Sequence, residues 1–160
     1  MPSGQSMRIV RIHRRVRAAN NYEGSLQYAN RWNFKGTPIL YASTASSLCC
    51  LEILVHTVDA RTIPPGLVWS SAYLDDVSPL DFRWDVHNQD LTRQAGHYWI
   101  NNGNELATLV PSVIIPVEYN VLLNPTHRRF GEISWSQPQS FPWDRRLIEL
   151  VRATALPADA

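Results

Sequence analysis

The sequence predicts an α+β fold: a mixed or mostly antiparallel sheet with a few helices. Three observations lead there. Short β-capable runs outnumber helical ones, and their order does not alternate strand with helix as a doubly wound parallel sheet requires. Prolines at 111 and 116 sit between successive apolar runs, where edges and bulges tolerate them and a central strand does not.

The elements follow in order. Residues 1–7 read as a flexible lead. Arg8–His13 alternates Arg11 with Ile9, Val10 and Ile12, and is a strand candidate. Residues 14–30 are polar, with Asn20, Asn21 and Gly24 marking a loop. Gly36 and Pro38 turn the chain into a strand at Ile39–Ala42, and Ser43 or Thr44 is placed to cap a helix. Leu48, Leu51, Val55 and Val58 recur at helical spacing along it, and Pro64, Pro65 and Gly66 end it. Leu67–Leu74 is a strand, and Asp75–Asn88 an aspartate-rich loop. A second helix begins at a cap on Asp90 or Thr92, turns Ala95, Tyr98 and Trp99 inward, and stops at Gly103. Leu106–Val110, Val113–Val117 and Asn120–Leu123 are three further strands. Asn124 and Pro125 turn into a short helical piece holding His127, and Ile133–Trp135 is another strand. Phe141 to Leu150 ends on a last apolar strand, and residues 157–160 read as frayed.

At 160 residues the chain fits one domain, which buries roughly 70% of the surface of its unfolded form. Apolar residues make up 44% and charged residues 18%, a globular rather than a disordered balance. The formal charge of +1 gives no global field to attract nucleic acid or an anionic membrane. Five arginines (8, 11, 14, 15 and 17) precede the first acid, Glu23, as a solvated basic edge or a local contact surface. Cys49 and Cys50 are adjacent, have no other cysteine to pair with, and read as small buried hydrophobes of a reducing compartment. No leader-like or membrane-spanning apolar segment stands out, so a cytoplasmic protein is expected.

Most familiar chemistries lack their motif. No His, Cys or carboxylate set has zinc-ligand spacing, and no GxSxG, GxGxxG or P-loop occurs. Five scattered histidines (13, 56, 87, 97 and 127) leave a histidine-paired ribonuclease open. The informative stretch is Asn30–His56, where Glu52 stands in an uncharged apolar run downstream of Arg31, Trp32, Lys35 and Tyr41. A carboxylate on a helix's inner stripe is costly unless paired. Two readings follow: a structural pair of Glu52 with Arg31, or a site in which carboxylate, guanidinium and aromatic ring converge. His56 lies one helical turn beyond Glu52 and can line the same cleft.

The order of Arg31, Tyr41 and Glu52, followed by the Val-Pro-Ser of residues 110–112, resembles the RES-domain family, toxin halves of RES–Xre toxin–antitoxin pairs. The matching stretches are residues 10–12, 31–36, 39–43, 51–56, 109–127 and 143–147, in the family's order; Ser78–Gln89 departs from the pattern. The resemblance implies an ADP-ribosyltransferase-like fold with a split sheet around an NAD cleft. It also implies cleavage of the nicotinamide–ribose bond, with ADP-ribose passed to water, phosphate or a protein. It carries functional roles onto Arg31, Tyr41, Glu52 and Ser112, with Arg11, Lys35 and His56 as additions. On this reading Arg31 grips the diphosphate as a fork, helped by Arg11 or Lys35. Tyr41 stacks on the cationic nicotinamide ring, Glu52 steadies the positive charge developing on the ribose, and Ser112 bonds the ribose or the amide. NAD is the substrate and no metal is expected. The implied partner is an Xre-type antitoxin that covers the cleft in a hetero-oligomer, with nucleic acid met only through it. An RNA-cleaving toxin and a non-catalytic nucleotide-binding module are the competing classes.

Overall fold

The computed structural model describes residues 5–57 and 62–153. The sequence expectations for residues 1–4, Val58 and residues 157–160 lie outside them.

The described residues form seven strands and four helices. The strands are β1 (Met7–Arg14), β2 (Leu40–Ser43), β3 (Leu67–Leu74), β4 (Ser78–Pro79), β5 (Ala107–Pro111), β6 (Tyr119–Leu123) and β7 (Gln139–Ser140). The helices are α1 (Glu23–Gln27), α2 (Ser46–Thr57), α3 (Gln89–Asn102) and α4 (Arg145–Ala153), with a 3-10 turn at Phe130–Glu132. One sheet runs in the order β4-β5-β6-β2-β1-β3-β7, antiparallel throughout except for β4 against β5. The fold is therefore α+β, as the sequence predicts.

The pairing explains where the sheet opens. β1 runs along β3 in an eight-pair register from Met7↔Leu74 to Arg14↔Leu67, so Met7 belongs to the strand rather than to a flexible lead. β2 runs along β6 from Leu40↔Leu123 to Ser43↔Asn120. The two halves meet through a single pair, Val10↔Ser43. Past that pair β1 and β2 separate, and residues of both strands line the gap: Arg11 and Ile12 from one, Tyr41, Ala42 and Ser43 from the other.

Period-two alternation distributes β5 and β6 over two cores. Leu109, Val121 and Leu123 join Ile9, Leu40, Ala42, Ala72, Leu74 and Phe130 on one face. Val110 and Leu122 turn the other way, onto Trp32, Ile39, Trp99 and Ile100 beneath α3. A third cluster joins Ile12, Cys49 and Cys50 to Phe141, Trp143 and Leu147 of the C-terminal segment.

Several sequence expectations change. Val113–Val117 is not a strand. The Ser112 hydroxyl accepts from the backbone N–H groups of Ile114 and Ile115, at 3.1 Å each, and winds this stretch into the β5–β6 connection. Ile133–Trp135 has no strand partner and runs alongside the sheet to β7, with Trp135 packed on the first core. The tail is a helix, α4. Asp144 Oδ1 accepts from Arg146 N at 2.8 Å where the helix begins, and Arg145 and Glu149 pair one turn apart at 2.7 Å. Residues 23–27 form a short helix inside the expected loop, and Ser78–Pro79 pairs as an edge strand inside another.

Both expected caps move as well. The hydroxyls of Ser43 and Thr44 bond Asn120 Oδ1 and Tyr119 O instead of capping α2. Asn88, not Asp90 or Thr92, caps α3 by accepting from the N–H groups of Asp90 and Leu91. Gly103 ends α3 as expected. Tyr98, expected inward, is 69% exposed.

Candidate active site

The opening between β1 and β2 is a cleft of about 620 Å³ walled by α2, the 29–32 loop, the start of α3 and the β5–β6 connection. It gathers Arg11, Arg31, Tyr41, Glu52 and His56 from the sequence-based set. Lys35 is not among its lining residues. It is exposed on the turn in which Thr37 N bonds Phe34 O and Gly36 takes φ of 90°, a backbone angle glycine adopts without strain. Ser112 is 1% exposed and lies behind the lining, so it reaches the cleft only through Glu52.

Glu52 is half-buried, and its partners differ from those expected. Asn120 Nδ2 donates to Glu52 Oε1 at 2.6 Å, and the Ser112 hydroxyl donates more weakly at 3.4 Å. Ser43 Oγ in turn donates to Asn120 Oδ1 at 2.8 Å. Because that amide oxygen is already engaged, Asn120 presents its N–H to the carboxylate and not its oxygen. Glu52 and Arg31 form no ion pair: Arg31 Nη1 donates to Val86 O at 2.9 Å. The structural pair considered from the sequence is therefore absent, although both side chains line one cleft. Val55, expected on an inner stripe, is 52% exposed and lines the cleft beside Glu52 and His56.

Tyr41 is fixed by the loop that carries Arg31. Its hydroxyl donates to Asn33 Oδ1 at 2.7 Å and accepts from Trp32 N at 3.1 Å. Asn33 is fully buried and bonds the carbonyls of Ser25, Tyr28 and Phe34, which ties the whole loop to β2. Burial pushes the Tyr41 hydroxyl far above its ordinary value, so it stays protonated. With its hydroxyl engaged, Tyr41 offers the cleft a ring rather than an acid or a base.

The cations are the other half of the site. Arg11 donates to Ala19 O, and desolvation lowers its guanidinium to about 10. It remains charged at neutral pH. Arg93, which sequence reasoning missed, lines the cleft from α3 and donates to Asn30 O at 2.9 Å and to Gln89 Oε1 at 2.8 Å. Among the described residues none of Arg11, Arg31 and Arg93 has a carboxylate partner. Desolvated cations without counter-charges favour an anionic guest. Cys49, also in the lining, is pushed up to about 11 by burial, and so is a thiol and no nucleophile at neutral pH.

The histidines do not converge. His56 alone lines the cleft. His13 is buried against Ser70, and His97 bonds Thr37. His127 accepts from Arg129 N within a turn rather than a helix. Among the described residues no group of three or more His, Cys, Asp or Glu side chains could hold a metal ion. No described helix is long and apolar enough to cross a membrane.

Known proteins resemble this chain over most of its length. The RES domain family model matches residues 8–144. A protein of Yersinia enterocolitica named Toxin Res is 34% identical over 132 residues, covering 78% of this chain and 87% of that protein. A Sphingobium protein named Prs ADP-ribosylating toxin is 31% identical over 129 residues, covering 74% and 80%. The crystal structure of the M. tuberculosis MbcT–MbcA toxin–antitoxin complex contains a similar fold, with a TM-score of 0.67, 16% identity, and coverage of 94% of this chain and 91% of that one. The family match spans the strand, loop and helix that carry Arg11, Arg31, Tyr41 and Glu52, and on that ground the chain belongs to the RES domain family.

Proposed function

We propose that this protein is the toxin of a toxin–antitoxin pair, and that it consumes NAD by breaking the bond between nicotinamide and ribose. The observation that carries the reading is the charge layout of the cleft: three guanidinium groups without acidic partners, with one carboxylate held at a defined orientation. A dinucleotide needs both. Its diphosphate is dianionic and suits the arginines, whereas its nicotinamide ring is cationic and suits an aromatic face such as that of Tyr41.

The chemistry needs little more. As the bond between ribose C1′ and the nicotinamide nitrogen breaks, both electrons pass to the ring and neutralise it. Nicotinamide leaves without a proton, so one carboxylate suffices. The ribose gains oxocarbenium character. Glu52 steadies that charge and holds a ribose hydroxyl through the oxygen that Asn120 leaves free. Ser112 acts one step back, on Glu52 and on the β5–β6 connection, and Arg93 replaces Lys35 as the helper of Arg31 and Arg11. An acceptor then adds at C1′ and loses its proton. Water and phosphate are the simplest acceptors. A protein side chain is the second reading, favoured by the Sphingobium relative named for ADP-ribosylation. The similarity to a chain of a toxin–antitoxin complex supports an antitoxin that covers the cleft, of the Xre type that the family resemblance implies.

The test is a mass-resolved incubation of the purified protein with NAD and cell lysate, beside Glu52→Gln, which conserves side-chain volume. Loss of NAD with free ADP-ribose or its phosphate is expected from the wild type and not from the variant; addition of the cognate antitoxin stops it. A lysate protein gaining one ADP-ribose unit would establish the second reading. Full activity of Glu52→Gln would remove this carboxylate from the mechanism, and intact NAD in every arm would leave a binding module.

A further inference from the structure

A second cavity of about 640 Å³ lies on the far side of α3 and shares no lining residue with the cleft. Gln89 and Arg93 of α3 face the cleft, whereas Leu91, Gln94, Ala95, Tyr98 and Trp99 face this cavity. Its opposite wall is Ser78–Asp81 and Trp84, within the stretch that departs from the family pattern in sequence. Its charge has one sign: Asp81 and Glu105 line it, and among the described residues no basic one does. Asp81 already shares an exposed pair with Arg83, at 2.9 Å, while Glu105 has no ion pair among the described residues. Trp84 and Tyr98 are 63% and 69% exposed, so two aromatic surfaces stand in solvent beside these carboxylates.

The placement of these groups points to the occupant. The Glu105 carboxylate lies 2.5 Å from where a side chain on Gly103 would begin, and Trp99 Cδ1 lies 3.0 Å from the same point, so the charge sits beside the apolar wall. Unpaired negative charge and aromatic surface thus meet at one end of the cavity. A guest that matches both carries a cation and apolar bulk. Arginine or lysine within an apolar peptide segment supplies them, since its cation favours both carboxylates and ring faces.

We propose that this cavity is a docking site for a basic, apolar-flanked segment of a protein partner, with Glu105 and the rings of Trp84 and Tyr98 receiving the cation and Trp99 in the apolar wall beside them. The site stands apart from the NAD cleft and does not rest on the chemistry proposed there. Since α3 walls both cavities, a partner bound here lies next to the cleft mouth without entering it.

The probe is a blocked Leu-Arg-Leu peptide titrated into the full chain labelled with nitrogen-15, read at the six tryptophan indole signals. Saturable shifts at Trp84 and Trp99 are expected. Exchanging the peptide's arginine for glutamine weakens binding by about tenfold, and Glu105→Gln in the exposed rim by about threefold. Unchanged far-ultraviolet circular dichroism of Glu105→Gln keeps that comparison clean. The proposal is overturned if no signal saturates, if the shifts fall elsewhere, or if both peptides bind the wild type equally.

Discussion

Glu52 shows how a site residue is legible while its control is not. A lone carboxylate in an apolar helix, downstream of Arg31 and Tyr41, marks itself in the sequence. The group that orients it does not, because Asn120 lies 68 positions away and an asparagine before an apolar strand is unremarkable. Only the register Ser43↔Asn120 brings the two strands together so that one serine can fix the amide that fixes the carboxylate. Removing this relay misplaces Glu52 without touching a ligand. Asn120→Ala should therefore lower kcat for NAD loss by about a hundredfold, the effect of a displacement of about 1 Å in a reacting group, with a much smaller change in KM. Asn120→Asp puts a second negative charge where a donor stood, so repulsion turns Glu52 aside and kcat should fall at least as far as in Asn120→Ala. Steady-state kinetics of the two variants decide the matter: wild-type kcat in both would mean that Glu52 is held by something else.

At the scale of elements, α2 and α3 were readable because each runs more than three turns with punctuation at its end. α4 reads as a strand in the sequence because nine residues give too few repeats to separate a helical from an extended period, and nothing in the sequence marks Asp144 as the residue whose carboxylate accepts from Arg146 N at its start. Val113–Val117 failed for a different reason: its β-branched residues favour a strand, but the hydroxyl of Ser112 captures the backbone donors a strand would need. Packing of α3 was equally hidden. Gly96 lies where a Cβ would stand 1.8 Å from the carbonyl oxygen of Trp32, a backbone atom that cannot swing aside. The helix therefore approaches the 29–32 loop as closely as it does only because this residue has no side chain. Gly96→Ala gains helix propensity of about 1 kcal/mol but forces an overlap, for which about 1–3 kcal/mol or more is typical. A net loss of stability is expected, together with weaker NAD binding, since the displaced loop carries Arg31. Gly24→Ala in α1, where a Cβ meets nothing within 4 Å, is the control and should be neutral or stabilising. Urea denaturation of the two variants measures the difference; a Gly96→Ala protein as stable as wild type would show that the helix can retreat at no cost.

The whole molecule depends on how a sheet with an opening at its centre is kept together. The α+β class was legible from strand count and order, but the single-pair junction of β1 with β2 was not, because strand order in space follows from contacts between distant segments. β1 is held on the far side of that opening chiefly by its long register with β3. His13 reinforces it from within. Its Nδ1 lies 3.1 Å from the carbonyl oxygens of both Arg14 and Arg17, so the tautomer assigned by this network donates there and Nε2 accepts from Ser70 Oγ at 2.9 Å. Desolvation first, and the nearby Arg11 charge in addition, depress its pKa below the ordinary 6.5, outweighing the two carbonyls that raise it. The sign follows from linkage: between the folded pKa and 6.5 the unfolded chain binds more protons than the folded one, so stability rises with pH. The contribution is complete above 6.5 and is lost as the pH falls toward the folded value. Urea midpoints should therefore fall between pH 7.5 and 5.5 in the wild type. His13→Gln should be less stable at pH 7.5, because it gives up a buried network, yet should have a flatter profile over the same interval. An equal slope in the variant would assign the acid sensitivity to other groups and leave His13 with packing alone.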